Sequence, residues 1–257
     1  MALITLLTDF GVSSPYVAQM KGVLASRCPN ARIIDLTHSI PPQNVTAGAI
    51  VLADSVPWFP RGTVAIAVVD PGVGTERRIL AAQIGQWHVV LPDNGLISDL
   101  TSHHDVRSVV ALDRSEFWLS PVSSTFHGRD IMSPVAAAIT QGVPIEELGE
   151  PVDNWVQLRI PVPELSGRRL SGEVIFVDSF GNLITNISVE QVSESDRISI
   201  EDYVVPGLVQ AYGEHRAGEL IALVGSSGRL EFAVVDGNAQ EKLGLTAGAR
   251  VRVEHAA

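Results

Sequence analysis

Apolar residues return along the chain in two rhythms. Continuous runs at 3–7, 32–36, 64–69, 79–84, 87–91 and 106–112 have the length and the Val, Ile, Leu and Ala content of strands covered on both faces. Between some of them, apolar residues recur every third or fourth position. Tyr16, Met20, Val23 and Leu24 predict a helix over 16–27, Asn44 offers an N-cap for a helix over 45–56, and another helix is expected over 131–140. This alternation argues an α/β N-terminal domain with a central, mostly parallel sheet and flanking helices. The rhythm changes near residue 160, where Pro161, Pro163, Gly167 and Gly172 interrupt the chain and no long helical pattern follows. Short strands are expected at 173–177, 197–200, 220–224, 230–235 and 250–253, separated by turns such as Ser227-Gly228 and Asp236-Gly237-Asn238. The second half reads as a small all-β barrel. The boundary falls at about residue 165, giving domains 1–165 and 166–257.

Composition narrows the function classes. A chain of 257 residues that is 46% hydrophobic and 18% charged is not disordered. A net charge of −11 has the wrong sign for a general nucleic-acid binder, whose affinity comes from neutralising phosphates. The one cysteine, Cys28, can form neither an internal disulfide nor a zinc cluster, and reads as a small buried residue after a helix. The N-terminal residues lack a positive n-region and read as a first strand. No apolar run approaches about 18 residues, so no membrane span and a cytoplasmic location are expected.

Polar residues gather where the predicted strands end: Thr8-Asp9-Phe10-Gly11, Asp35-Leu36-Thr37-His38, and the segment from Asp70 to Arg78. In open α/β sheets the carboxyl ends of the strands form the ligand crevice. One such Asp can simply close a turn. Three in one domain point to a site, since a buried carboxylate needs a partner. Gly72-Val73-Gly74-Thr75 lacks the spacing of a phosphate-binding loop, and Gly225-Ser226-Ser227-Gly228 lacks that of a nucleophile elbow. His127 and Asp130 have a spacing open to metal ligation, but no second cluster accompanies them. His103-His104 reads as an exposed loop.

Seven blocks, in order, carry a resemblance: LLTDFG with YVAQMKGVL, DLTHSIPPQNVTAGA, VVDPGVGTERR, LPDNGLI, STFHGRDIMSPVAA, VDSFGNLITNI and SSGRLEFAVVDGNA. Together they resemble the adenosine-forming S-adenosyl-L-methionine (SAM) hydrolases, also called SAM hydroxide adenosyltransferases. The fluorinating and chlorinating halogenases are related to these. The resemblance spans nearly the whole chain. It implies an α/β domain followed by a β-barrel, and a homotrimer whose substrate lies between the first domain of one subunit and the second of the next. The implied partner is SAM itself as substrate, with no cofactor and no metal.

The resemblance also implies roles. Asp70, Arg77 and His127 would form the catalytic set for attack of water or hydroxide on C5′ of the adenosyl group, with methionine leaving through sulfur. A guanidinium near that water would stabilise hydroxide, and either Asp70 or His127 would take or orient the proton. Asp9 corresponds to the carboxylate that grips both ribose hydroxyls, and Asp178 to the acceptor for the methionine ammonium. Phe180 would stack on adenine while Asn182 meets its edge. Ser226 would donate to the methionine carboxylate, and Asn238 and Ala239 would line the adenine end. Four positions depart from the halogenases. Asp70 stands where they carry Tyr, Val73 where they carry a halide-contacting Thr, Gly128 where they carry Ser, and Ser227 where they carry Arg. An anionic Asp70 repels halide, which disfavours a SAM-dependent halogenase. Two other readings are a non-catalytic adenosine or SAM sensor and a metal-dependent hydrolase using His127 and Asp130. The first does not require a proton-transfer group beside C5′.

Overall fold

The computed structural model describes residues 2–256. Contacts divide the chain after Leu158 into two compact units, whereas the proline and glycine punctuation points to about residue 165. In the first unit β1 (Leu3–Thr8) is followed by α1 (Tyr16–Arg27), β2 (Arg32–Thr37), α2 (Val45–Ser55) and β3 (Val64–Val68). β2 and β3 flank β1, and all three run parallel. Next come β4 (Ile79–Ile84), β5 (Trp87–Pro92), α3 (Ser98–His103), β6 (Val106–Leu112), α4 (Ser133–Thr140) and β7 (Gly149–Pro151). The sheet order is β2-β1-β3-β5-β4-β6-β7.

This sheet is mixed, not mostly parallel. It is parallel from β2 to β5 and antiparallel from β5 to β7. The cause is local. β4 and β5 are joined only by Gly85-Gln86, with Gly85 at φ +53°. Two residues make a hairpin, and a parallel crossover needs a dozen or more. Apolar runs covered on both faces look alike in either direction, so the pattern alone does not reveal the switch.

Alternate residues of the strands face opposite helix layers. Ile4 and Leu6 of β1 and Val64 and Ile66 of β3 share a core with Met20 and Leu24 of α1 and Val135 and Ile139 of α4. α2 meets α3 and β1. Asn44 caps α2 as expected, its Oδ1 accepting the Ala47 N–H at 2.9 Å. α4 begins at Ser133, after a wide π-type turn over Gly128–Met132. Ser133 Oγ donates to the Gly128 carbonyl there at 2.7 Å. His103 closes α3 instead of lying in a loop, and the His104 ring stands edge-on to Trp87 at 5.0 Å.

The second unit is β-rich. It runs β8 (Glu164–Ser166), β9 (Arg169–Val177), β10 (Leu183–Ser188), β11 (Arg197–Ile200), β12 (Tyr203–Val205), β13 (Leu208–Val209), β14 (Leu220–Val224) and β15 (Arg229–Val234). The short α5 (Ala239–Leu243) and β16 (Arg250–Glu254) complete it. The order β12-β11-β16-β9-β10-β15-β14-β13 is antiparallel except where β13 meets β14, and β8 pairs with β9. β12 returns against β14, so the sheet nearly closes around Val174, Leu183, Ile198, Phe232 and Val251. β10 is absent from the strands that the pattern predicts. Its Thr185 and Asn186 read as polar, yet both are buried in the sheet. Among the described residues no helix is long and apolar enough to cross a membrane.

Candidate active site

Because β1 and β3 are parallel neighbours, their carboxyl ends lie on the same edge of the sheet. Asp9 follows the last residue of β1 and Asp70 lies just beyond β3. The two carboxylates line one open cavity of about 420 Å³ together with Gln43, Val73, His127 and Gly128. Phe10, Tyr16 and Phe126 also line it. They form an edge-to-face cluster with centroids 5.3 to 5.8 Å apart, which gives the cavity an apolar wall. Asp9 Oδ2 accepts the Gln43 N–H at 2.8 Å, leaving most of its acceptor capacity open.

Asp70, Arg77 and His127 come together. Arg77 Nε donates to Asp70 Oδ1 at 2.8 Å and to Oδ2 at 3.0 Å, and Arg77 Nη2 also donates to Oδ2. The same Nη2 lies 3.0 Å from His127 Nδ1. A guanidinium only donates, so Nδ1 accepts and the ring proton sits on Nε2. Burial and then the Arg77 charge hold the His127 pKa below the ordinary 6.5, against a smaller upward pull from Asp70 and Asp130. The imidazole is therefore neutral at neutral pH and presents an N–H donor. Arg77 and Asp70 are 10% and 4% exposed, a setting in which a bidentate pair is held firmly. Asp70 and His127 line the cavity, and Arg77 stands behind them.

The next residue serves a different end. Arg78 Nε donates to Asp93 Oδ2 at 2.8 Å, and its Nη2 donates to the Asn154 carbonyl at 2.8 Å. Asp130 sits under the His127 loop. It accepts from Arg129 Nε and Nη2 at 2.6 and 2.9 Å and from the Ser123 N–H at 2.8 Å. Burial works upward on its pKa, but these bonds carry it below the usual range. Both oxygens are occupied, so the spacing from His127 reflects loop support. Among the described residues no three His, Cys, Asp or Glu side chains are grouped to hold a metal ion.

The sequence-predicted residues of the second unit form their own group. Asp178 Oδ1 accepts the N–H groups of Phe180 at 2.9 Å and Asn182 at 2.8 Å, and Oδ2 accepts Asn182 Nδ2 at 3.0 Å. Asp178 thus shapes the turn that presents Phe180, which is 75% exposed. Gly181 at φ +83° lies against Asn238, where a Cβ would come within 2.1 Å of the side chain. Asn238 caps α5 through the Glu241 N–H at 2.8 Å, and Ala239 is fully buried. Ser226 and Ser227 are exposed on the hairpin between β14 and β15. Sequence reasoning passes over Glu231. Its buried carboxylate accepts from Tyr212 Oη and abuts Gly225, and burial and the charge of Asp178 raise its pKa. A charged residue within an apolar strand is the signal that could have found it.

The SAM hydroxide adenosyltransferase N-terminal domain family matches residues 4–149, and the corresponding C-terminal domain family matches residues 172–252. An (R)-S-adenosyl-L-methionine hydrolase of Salinispora tropica is 41% identical over 258 residues, covering 97% of both chains. A fluorinase of an Actinoplanes species is more distant, at 30% over 212 residues, with 72% of this chain and 71% of that protein covered. The crystal structure of an uncharacterized conserved protein from Thermotoga maritima superposes with a TM-score of 0.92 at 33% identity, covering 98% of this chain and 100% of that one. Both halves match in order and the likeness runs nearly end to end: the chain belongs to the SAM hydroxide adenosyltransferase family.

Proposed function

We propose that this protein hydrolyses S-adenosyl-L-methionine to adenosine and L-methionine. Water oxygen bonds to C5′ of the adenosyl group as the C5′–S bond breaks. The bonding pair leaves on sulfur as the neutral thioether of methionine, and the water proton passes to a base. Sulfonium is a good leaving group, so no acid is needed to protonate it and no cofactor is invoked. The observation that carries this reading is the Arg77 guanidinium bridging Asp70 and His127 beside a cavity that also holds Asp9. In it Asp70 is the base: Asp70 Oδ1 keeps a second acceptor site beside its bond from Arg77, whereas the single lone pair of His127 Nδ1 is taken by Arg77 and its Nε2–H is left to orient the water. Arg77 fixes both groups from behind. Asp9 takes the ribose hydroxyls, and the aromatic wall limits water around the sulfonium. The named activity of the Salinispora tropica relative supports the substrate. Asp70, in place of the Tyr expected in a halogenase, favours water over halide as nucleophile.

Adenine is assigned to Phe180, Asn182, Asn238 and Ala239, the methionine ammonium to Asp178 and its carboxylate to Ser226. The exposed Phe180 ring supports a site completed by another copy of the chain, in a homotrimer. A cytoplasmic location completes the reading. Incubation with SAM in oxygen-18 water tests the reaction: labelled adenosine and methionine are expected. Absence of adenosine, or an unlabelled 5′ oxygen, overturns it.

A further inference from the structure

We infer that His38 is a positioning residue for Asp9; this rests on the assignment of Asp9 to the ribose hydroxyls. His38 is 8% exposed and stands behind the cavity wall, outside the catalytic set. It ties down the chain on both sides of Asp9. Its Nδ1 shares a 2.9 Å hydrogen bond with Thr8 Oγ1, and the same hydroxyl accepts the Phe10 N–H at 3.2 Å. Its carbonyl accepts the Gly11 N–H at 2.8 Å. Residues 8 and 11 are thus anchored to one residue of the neighbouring strand end, and residue 10 is held to it through the Thr8 hydroxyl.

The Phe10 ring packs against Tyr16 and Phe126, but Gly11 turns at φ +70° with nothing near the position a Cβ would occupy, so packing holds the loop at Phe10 and hydrogen bonds hold it at Thr8 and Gly11. The Asp9 carboxylate meets the Gln43 N–H only if the loop stays in place, and Gln43 is itself held at φ +64°. On its far side His38 Nε2 lies 3.1 Å from Asp35 Oδ1, off the line of a good hydrogen bond, and Asp35 pairs with Lys21 at 2.6 Å. The Thr8 side of the ring is therefore the one that governs Asp9.

The two amide replacements separate the two sides of the ring. Asn places its polar group near Nδ1, and Gln places one near Nε2. His38→Gln should raise the KM for SAM and the Kd for adenosine about tenfold, the effect of losing one buried hydrogen bond, with kcat within about twofold. His38→Asn should stay within about threefold of the parent. Thr8→Val should reproduce the His38→Gln effect, and the double variant should add nothing further. Equal effects from Asn and Gln, or a lowered Tm with unchanged KM and Kd, overturn the inference. Asp9→Asn is run alongside. If it leaves KM and Kd unchanged, the ribose assignment falls and this inference with it. If it raises both while His38→Gln and Thr8→Val do not, only the role of His38 falls.

Discussion

One guanidinium organises the chemistry of two neighbours. Arg77 reaches Asp70 through Nε and Nη2, and His127 through Nη2. A lysine carries its three donors on one nitrogen and cannot make that fork. Arg77→Lys should therefore lower kcat at least tenfold, with a smaller change in KM, in steady-state assays. Asp70→Asn keeps the shape and removes the proton acceptor, so single-turnover rates should drop by about 10²–10⁴-fold while SAM still binds. The pH profile carries its own sign. Burial and the Arg77 charge lower the His127 pKa, so the neutral imidazole persists below pH 6.5 and the acid limb of kcat should lie below that value. Replacing Arg77 by Gln should move the limb of the residual activity upward. The same shift bears on stability. Below 6.5 the unfolded chain takes up this proton before the folded one does. The stability present above 6.5 is then lost as pH falls through the folded pKa.

Two loops must stay in contact for that triad to exist. Gly74, at φ +80° in the loop between Asp70 and Arg77, passes so close to the segment bearing His127 that a Cβ would lie 2.2 Å from the Ser124 carbonyl. Gly74→Ala should cost about 1–3 kcal/mol of stability and reduce kcat, because backbone has to move at the His127 loop. Gly142, just past α4, is a matched control with φ +94° and open space around it. Gly142→Ala should cost about 1–2 kcal/mol from its dihedral alone and leave kcat unchanged. Thermal melts and turnover on both variants separate close approach from backbone strain.

For the molecule as a whole, the residues assigned to substrate fall in two separate units, with Asp9, Asp70 and His127 in the first and Asp178, Phe180 and Asn238 in the second. If the site is completed between copies, an Asp70→Asn chain and a Phe180→Ala chain should complement each other. Co-expressed mixtures should then exceed the mean of the two parent activities, because some sites combine an intact first unit with an intact second one. Activity equal to that mean places each site within one chain. Light scattering on the 27.5 kDa chain should give the mass of three copies.

Residue order was enough to read β1, α1, β2, α2 and β3, because each buries a stretch whose apolar spacing matches its own geometry. The clustering of acids at strand ends likewise pointed to the sheet edge where Asp9 and Asp70 lie. Strand direction after β3 was not legible, since a run covered on both faces carries no mark of its neighbours' orientation. Nor was β10, whose buried Thr185 and Asn186 look polar until the sheet supplies their surroundings. The position of Arg77 behind Asp70 and His127, the Nε2–H form of that imidazole and the anchoring of the Asp9 loop by His38 all depend on contacts between residues far apart in the chain. Only the folded chain brings those atoms within hydrogen-bond reach, and a hydrogen bond is set by distance and direction in space, not by residue type.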